Sequence, residues 1–531
     1  MIRNVAELLR STAREHSDRT ALVAPAAERR VTWAELDVAV DAMASALRSR
    51  LPAGSRVALL FGNSIEFVTA YFAVLRAGLV AVPVNNGYTE PEIRRVLADS
   101  SAALVLAEAA AAEAARAAVG ALGAPDTDLP EVVEAGSAAW RALASGSGVD
   151  PSGTAEAAGT ADAETLAVLA FTSGTSGAPK GAMLSHRALL ASIDATLALD
   201  PIPVRPDDVV LLTLPLFHLY ELNGVLGPMT ATGATGILAE RFEPTPALAL
   251  IEEYRITTVP GAPPMYASWA ARHDLAPALA TVRMLISGSA PLPPAVLEQI
   301  QTATGRTVYE GYGLTETGPV ATSTLASEQV KSGSIGRAVP GVELRLVDHL
   351  GEPVADGDPG EIELRGANLF SGYWPDGAGG PDPDGWWATG DVAYADEDGD
   401  LFLVDRRKEL VLVSGFNVYP REVEDVLLTH PDVVEAAVVA VPHPATGEAV
   451  KAFVVRRPGS DLTADQLIAH CEPRLARFKR PTIVTFVPEL PHSVIGKVAK
   501  GRLRVADQAA PEPAGEPAAR PDAAEPAEES A

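Results

Sequence analysis

Short apolar runs typical of β-strands alternate with helical patterns through most of this chain, and the alternation narrows the folds open to it. Apolar residues recur at three- and four-residue spacing in 33–48 and 65–76, and each of these segments is followed by a β-type run, at 57–61 and 79–84. Such alternation predicts α/β layers. Because 531 residues exceed the usual size of one core, we expect at least two domains.

The pattern changes near the charged residues 405–408, where we place a domain boundary. Beyond it, helical patterns at 422–428 and 464–475 accompany β-type runs at 434–441 and 452–455. We therefore expect a large α/β N-terminal domain of several subdomains and a small, mobile α+β C-terminal domain. The expected limits are 1–404 for the large domain, 405–408 for a hinge, 409–506 for the small domain and 507–531 for a disordered acidic tail of Ala, Pro and Glu.

Charge and cysteine content exclude several classes of function. The formal net charge of −27 argues against non-specific binding to nucleic acids or anionic membranes. The single cysteine, Cys471, excludes an intrachain disulfide framework and a cysteine-based zinc site. No signal-peptide core is visible, and the apolar stretch 67–84 is interrupted by Arg76 and Gly78. We expect a cytoplasmic protein without stable membrane insertion; its oligomeric state cannot be deduced from the sequence.

The segment 172–181 has the composition of a mobile loop that holds phosphate. It contains four hydroxyl residues, three glycines and one lysine, and these side chains and exposed backbone N–H groups can bind an anion. A buried strand is predicted before it at 166–171, and a helix start capped by Ser185 is predicted after it at 182–190. Pro-Lys-Gly at its end excludes a Walker A motif, which needs Gly before Lys and Ser or Thr after it. A solvated Gly/Ser linker is the alternative.

Four later clusters, at 309–316, 387–391, 405–408 and 490–497, follow this loop in order. The first offers an aromatic face for a base, a hydroxyl for a phosphate and a carboxylate for a metal, and Mg²⁺ favours one or two carboxylates plus substrate phosphates. With these motifs, the chain resembles the adenylate-forming superfamily, which includes acyl-CoA synthetases, peptide-synthetase adenylation domains and firefly luciferases. The resemblance covers residues 4–504 and implies an acyl-CoA synthetase-like fold.

The resemblance implies a role for many residues in binding ATP. Tyr312 would stack on adenine, Thr315 would contact the α-phosphate, Glu316 would bind Mg²⁺ and Asp391 would accept hydrogen bonds from the ribose hydroxyls. The full set implied to bind ATP or AMP is Thr172, Ser173, Gly174, Thr175, Ser176, Gly177, Lys180, Gly288, Ser289, Ala290, Glu310, Gly311, Tyr312, Gly313, Asp391 and Arg406.

The same resemblance implies two half-reactions, adenylation and thioester formation, and assigns residues of both domains to them. Lys497, in a Pro-x-x-x-x-Gly-Lys motif, would be the catalytic lysine of adenylation, together with Thr315, Glu316 and His218. Lys408 would be the hinge residue. A loop of Ser414, Gly415 and Phe416 would enter the site for thioester formation with coenzyme A. ATP, Mg²⁺ and coenzyme A are therefore the implied cofactors and co-substrates.

Residues 215–224, here called the acyl segment, match the family's substrate-pocket motif. Its expected pocket residues are Phe217, His218, Glu221 and Asn223. Amino-acid-adenylating domains commonly have Phe-Asp where this chain has Phe-His, which favours an acyl- or aryl-CoA ligase. His218 would be an aromatic gate, with a packed core histidine as the alternative. Glu221 stands where fatty-acid ligases often have Gly. It either turns away from the pocket or meets a polar or cationic group of the substrate.

The leading hypothesis is an AMP-forming acyl-CoA synthetase acting on a small-molecule acid. One alternative keeps the adenylation and changes the partner: the acceptor is a stand-alone carrier protein or an amine, or nitrite is activated to diazotise an aryl amine. A luciferase-type oxygenase is less well supported. A nucleotide sensor without catalysis has no need of Lys408 and Lys497, whose presence argues against it.

Overall fold

The computed structural model describes residues 2–123, 129–146, 162–172, 179–406, 409–413, 416–443, 446–492 and 498–503. Its residues separate into two compact units: the larger runs from the N-terminus to Leu410, and the smaller begins at Val411. Both mix helices and strands, which confirms the predicted α/β class with a large N-terminal and a small C-terminal part.

Helices and short strands alternate in the larger unit as the sequence predicted. Its helices are α1 (Val5–Glu15), α2 (Trp33–Arg50), α3 (Ile65–Arg76), α4 (Glu90–Ser100), α5 (Ala109–Gly120), α6 (Ala138–Ala144), α7 (His186–Leu197), α8 (Leu226–Thr232), α9 (Pro244–Glu253), α10 (Pro263–Ala270), α11 (Leu275–Ala278) and α12 (Pro294–Thr304). Its strands are β1 (Thr20–Ala24), β2 (Arg29–Thr32), β3 (Arg56–Leu60), β4 (Val80–Pro83), β5 (Leu104–Ala107), β6 (Glu131–Glu134), β7 (Leu166–Thr172), β8 (Lys180–Ser185), β9 (Val209–Leu212), β10 (Thr235–Leu238), β11 (Thr258–Gly261), β12 (Met284–Ser287), β13 (Val308–Tyr312), β14 (Thr322–Ser323), β15 (Ser334–Ala338), β16 (Val342–Val347), β17 (Gly360–Gly366), β18 (Trp387–Ala395) and β19 (Leu401–Arg406).

The start of α7 corrects one prediction. Residues 182–185 belong to strand β8, which pairs with β7 in an antiparallel hairpin, so they are not the beginning of a helix. Ala-Met-Leu has good helix propensity, but the ladder with β7 overrides that local preference. The predicted cap itself is confirmed, because the Ser185 Oγ accepts a hydrogen bond from the Ala188 backbone N–H at 3.2 Å and α7 starts at His186.

Two sheets organise the described residues of the larger unit. One has the strand order β6-β5-β3-β4-β7-β8, and the other runs β16-β17-β18-β19-β15-β14-β13-β12-β11-β9-β10-β1-β2. Within the second sheet, β1, β10, β9, β11, β12 and β13 are successive parallel neighbours. Their carboxyl ends therefore share one edge, where open α/β sheets usually bind ligands.

Asn63 fixes the two sheets to each other beside that edge. It follows β3 of the first sheet, and its Nδ2 donates to the carbonyls of Leu214 at 2.8 Å and Ala239 at 3.1 Å. Its Oδ1 accepts a hydrogen bond from the Leu216 N–H at 2.9 Å. A buried amide whose donors and acceptor are all used in this way sets the path of the chain after β9.

The smaller unit has one mixed sheet and its own apolar core. Its described elements are β20 (Val411–Val413), β21 (Phe416–Val418), α13 (Pro420–Leu428), β22 (Val433–His443), β23 (Gly447–Arg456), α14 (Ala464–Cys471) and β24 (Ile483–Phe486). The order is β21-β20-β23-β22, and β24 pairs with β23 in parallel. Cys471 is buried in this core, where burial raises the pKa of its thiol.

Among the described residues of the chain, no helix combines the length and apolarity needed to cross a bilayer.

Candidate active site

Three of the predicted motifs lie at the carboxyl ends of parallel strands in one sheet of the larger unit. The acyl segment comes after β9, residues 288–290 come directly after β12, and residues 310–312 end β13, with Gly313 directly after it. The register pairs Gly261 of β11 with Ser287 of β12, and Ser287 with Glu310 of β13. Motifs far apart in the sequence are thus brought to one edge of the sheet.

Tyr312 and Asp391, both expected at the nucleotide, are in direct contact. The Tyr312 phenol donates to the Asp391 Oδ2 at 2.7 Å, although 79 residues separate them in the chain. Asp391 is buried and lies on β18, where its backbone pairs with that of Arg406 on β19. The contact brings an aromatic ring and a carboxylate together, and a carboxylate can accept hydrogen bonds from hydroxyl groups.

Glu316 and Lys180 are linked through Tyr373, which the sequence did not single out. The Tyr373 phenol donates to the Glu316 Oε1 at 2.6 Å. The Lys180 Nζ lies 4.9 Å from the centre of the Tyr373 ring, within the range of a cation–π contact. Thr172 pairs with Lys180 at the end of the β7–β8 hairpin. One tyrosine therefore orders the predicted metal ligand and the lysine of the phosphate loop.

The turn from β13 to Glu316, the predicted metal ligand, has room only for glycine at position 313. A Cβ there would stand 1.8 Å from the Pro319 carbonyl oxygen. The short 3₁₀ turn Thr315–Thr317 follows and carries the predicted α-phosphate contact and metal ligand. Asn223 supports the same turn from the acyl segment, because its Nδ2 donates to the Gly318 carbonyl at 2.6 Å and to the Leu189 carbonyl at 3.1 Å.

Residues 288–290, which the resemblance implies to be part of the nucleotide site and which are here called the predicted adenine wall, combine a strained backbone with a buried hydroxyl. Ser289 has φ +72°, an uncommon conformation for a residue other than glycine that occurs often at functional sites. Its buried Oγ has no hydrogen-bond partner among the described residues. Nearby, the Glu310 Oε2 accepts a hydrogen bond from the Leu292 N–H at 2.9 Å. That contact commits part of the Glu310 carboxylate to the backbone.

A π-helix at Tyr220–Val225 forms the centre of the acyl segment. π-helical turns are rare and are frequent at functional sites. The Tyr220 ring packs against Gly288, where a Cβ would lie 3.1 Å from the Tyr220 Cζ. His218 is half-buried, and its Nδ1 accepts a hydrogen bond from the Tyr220 N–H at 3.3 Å. The acyl segment therefore borders the predicted adenine wall directly.

Glu221 is completely buried on this π-helix. Burial raises the pKa of its carboxyl well above the usual range, although the nearby backbone N–H groups of Leu214 and Thr213 act in the opposite direction. Neither carboxyl oxygen has a well-formed hydrogen bond among the described residues. A buried carboxyl without good partners is costly, which makes this departure from the family pattern a feature that needs a function.

Several predicted residues lie outside the part of the chain that the structure describes. They are Ser173, Gly174, Thr175, Ser176, Gly177, Lys408, Ser414, Gly415 and Lys497. For Arg406 and Phe416 only the strand positions of the backbone are described. Their functional roles stay predictions from the sequence.

Comparisons with known proteins agree with these motifs. The family model described as AMP-binding enzyme matches residues 9–374, and that described as AMP-binding enzyme C-terminal domain matches residues 422–497. A long-chain-fatty-acid–CoA ligase of Yersinia pestis is 35% identical, with 89% of each chain covered. The 4-coumarate–CoA ligase 5 of Oryza sativa subsp. japonica is also 35% identical, with 92% of each covered.

A solved structure supports the same assignment over nearly the whole chain. The crystal structure of ATP-bound MatB from Rhodopseudomonas palustris is 33% identical, has a TM-score of 0.85 and covers 95% of this chain and 99% of its own. Sequence, fold and motifs thus agree. The chain belongs to the AMP-binding enzyme family and is an AMP-forming acid–thiol ligase of the acyl-CoA synthetase type.

Proposed function

We propose that the enzyme joins a carboxylic acid to coenzyme A at the edge of the parallel sheet, with ATP consumed to AMP and pyrophosphate. The observation that supports this proposal is the Tyr220–Gly288 contact, by which the acyl segment borders the residues predicted to bind adenine. An acid bound along that segment lies beside a nucleotide bound at Tyr312 and Asp391. Proximity of this kind is a main source of rate enhancement in a two-substrate reaction.

The first half-reaction makes a mixed anhydride. A carboxylate oxygen of the acid bonds to the α-phosphorus of ATP, and the bond to the β-phosphate oxygen breaks as pyrophosphate leaves. Charge builds up on the phosphate oxygens, where Thr315, Lys180 and Lys497 are the proposed donors. The loop at 173–178 is the proposed cover for the β- and γ-phosphates.

The residues at Glu316 fit a magnesium ion that is held mainly by substrate. Its carboxylate is nearly buried and is oriented by the Tyr373 phenol. Mg²⁺ keeps several water molecules and takes one or two carboxylates plus phosphate oxygens, so a single ordered carboxylate is a suitable protein contribution. When bound, the ion supplies positive charge to the phosphates.

The second half-reaction transfers the acyl group. The sulfur of coenzyme A bonds to the acyl carbon and loses its proton, and the bond to the AMP oxygen breaks. The proposed groups are the loop at 414–416 and the hinge residue Lys408, which would let the small unit serve each half-reaction in turn. A carrier-protein thiol would undergo the same chemistry, so the acceptor must be tested directly.

Lys497→Ala tests the division of roles. We expect acid-dependent pyrophosphate release to fall by about a hundredfold or more. Thioester formation from supplied acyl-AMP should stay within about threefold of the unmodified enzyme. Lys500→Ala is the matched control, because the Lys500 Nζ pairs with the Glu424 Oε1 at 2.8 Å within the small unit. Equal loss of both half-reactions in Lys497→Ala would contradict the proposed roles.

A further inference from the structure

Glu221 is the buried acidic group that the adenylation chemistry does not use. It is wholly shielded from solvent, so bulk water cannot satisfy its oxygens. No described Lys, Arg or His forms an ion pair with it, and neither oxygen has a hydrogen bond of good geometry among the described residues. The nearby N–H groups of Thr213 and Leu214 offset part of the burial cost without forming well-aligned hydrogen bonds. Buried polar atoms are usually hydrogen-bonded, so we expect these carboxyl oxygens to accept a hydrogen bond from a bound molecule.

Other unpaired hydroxyls lie on the same strand edge. Thr213 directly follows β9 and Ser287 ends β12, and the Oγ1 and Oγ of these residues are buried without a partner among the described residues. Between them runs β11, which pairs Thr258 with Val210 and Gly261 with Ser287. The strand ends therefore present two hydroxyl residues on either side of Gly261, and the side chains of Tyr266 and Met265 pack where a side chain at Gly261 would lie.

Tyr220 connects this polar row to the acyl segment. Its phenol lies 3.4 Å from the Gly261 carbonyl oxygen, and its ring packs on Gly288. Glu221 is the next residue on the same π-helix, a form of helix associated with functional sites. The buried acceptors thus lie next to the proposed acid site and not at a remote point of the core.

We propose that Glu221 is a specificity-determining residue, whose carboxyl accepts a hydrogen bond from an amino or hydroxyl group on the acid. The inference rests on the proposed function, since it assigns the substrate class of that same site. An acid with such a donor satisfies a group that the protein leaves unpaired, whereas a pure hydrocarbon acid does not. Sites built around buried hydrogen-bonding groups discriminate strongly against analogues that lack the partner.

Two matched series of acids test this inference. One contains benzoate with its hydroxy and amino derivatives at each ring position, and the other contains octanoate with 8-hydroxy- and 8-aminooctanoate. Pyrophosphate release is measured for each acid with the unmodified enzyme, Glu221→Gln and Glu221→Leu. The amide oxygen of Gln still accepts a hydrogen bond and keeps the shape of the side chain, whereas Leu fills similar space without an acceptor.

We expect the unmodified enzyme to favour the best hydroxy or amino acid over its parent by at least about tenfold in kcat/KM. Glu221→Leu should lose this preference, because its kcat/KM should fall by a larger factor for the donor-bearing acid than for the parent acid, and Glu221→Gln should retain part of it. A larger loss for amino than for hydroxy acids in Glu221→Gln would identify a charged amine as the donor. The Gln variant keeps the test open if the Leu variant fails to fold.

Two results would overturn the inference. One is an unmodified enzyme that does not distinguish the donor-bearing acids from their parents. The other is a Glu221→Leu variant that loses the same factor for every acid, which is the signature of a purely structural carboxyl. Absence of pyrophosphate release with every acid, in the unmodified enzyme, is a separate outcome that would contradict the proposed function itself.

Discussion

The Tyr373 phenol donates a hydrogen bond to the Glu316 Oε1 at 2.6 Å, and the same aromatic ring lies beneath the Lys180 Nζ. A hydrogen bond to a carboxylate is stronger than one between neutral groups. Tyr373 therefore orients the proposed magnesium ligand through its phenol and contacts the lysine next to the phosphate loop through its ring. Two charges of opposite sign are kept apart and oriented by one neutral side chain.

Tyr373→Phe should weaken the use of magnesium while leaving the fold intact. The substitution removes the phenol oxygen and keeps the ring under Lys180. We expect the rate of pyrophosphate release at limiting Mg²⁺ to fall by about tenfold or more, with partial recovery at high Mg²⁺. A magnesium titration of the initial rate measures this. Tyr394→Phe is the control, since Tyr394 is partly exposed and stacks on Phe402. An unchanged magnesium dependence in Tyr373→Phe would contradict the assigned role.

Tyr312 and Asp391 should be energetically coupled in nucleotide binding. We expect a double-mutant cycle of Tyr312→Phe and Asp391→Asn, read by calorimetric titration with AMP, to give a coupling energy of about 1–2 kcal/mol. The physical reason is their hydrogen bond of 2.7 Å, which fixes the ring and the carboxylate in one arrangement. Additive losses of AMP affinity would show that the contact does not organise the site.

Gly313→Ala should destabilise the larger unit far more than Gly311→Ala. An added Cβ at 313 would overlap the Pro319 carbonyl oxygen, whereas at 311 the nearest atom outside the neighbouring residues lies 3.6 Å away. We expect a loss of about 2 kcal/mol or more in the free energy of unfolding for Gly313→Ala, and a small change for the control. Urea denaturation of both variants measures the difference; similar midpoints would show that the turn adapts.

His186 should make the folded state sensitive to acid. Burial lowers the pKa of this imidazole to about 4, and its Nδ1 accepts a hydrogen bond from the Val5 N–H at 3.2 Å. An ordinary histidine has a pKa near 6.5, so between those values the unfolded chain binds more protons and stability falls as the pH falls.

From pH 7 to pH 5 we expect this one group to remove about 2 kcal/mol from the free energy of unfolding. His186→Gln should lack that part of the pH dependence, although it is less stable at pH 7. Urea denaturation of both proteins at the two pH values gives the comparison. Parallel pH curves would mean that His186 is not the group responsible.

The local sequence was sufficient to predict those helices and strands whose apolar pattern matches the way they pack in the fold. The run at 57–61 and the helical pattern at 65–76 correspond to β3 and α3, because each buries the apolar residues that its own sequence provides. The strand at 180–185 was missed because its pairing with β7 outweighs the helix propensity of its residues. Pairing between strands is a tertiary effect that a single local window does not contain.

Prediction of the candidate site from the sequence was limited in the same way. The motifs predicted Tyr312, Glu316 and Asp391 as neighbours of one nucleotide, but Tyr373 was not identified because its partner Glu316 lies 57 residues away in the chain. The aromatic pair Tyr-Trp at 373–374 was the available signal, and it has no fixed meaning without the fold. The burial of Glu221 likewise depends on how the acyl segment packs against the ends of β9 and β11.

The most direct measurement is the stoichiometry of products from ATP over a panel of acids and nitrite, with and without coenzyme A. The account predicts equal amounts of AMP and pyrophosphate, formed only when an acid is present, and an acyl-CoA of the expected mass when coenzyme A is added. Nitrite-dependent pyrophosphate with no response to carboxylic acids, formation of ADP and phosphate, or no acid-dependent pyrophosphate at all would contradict it.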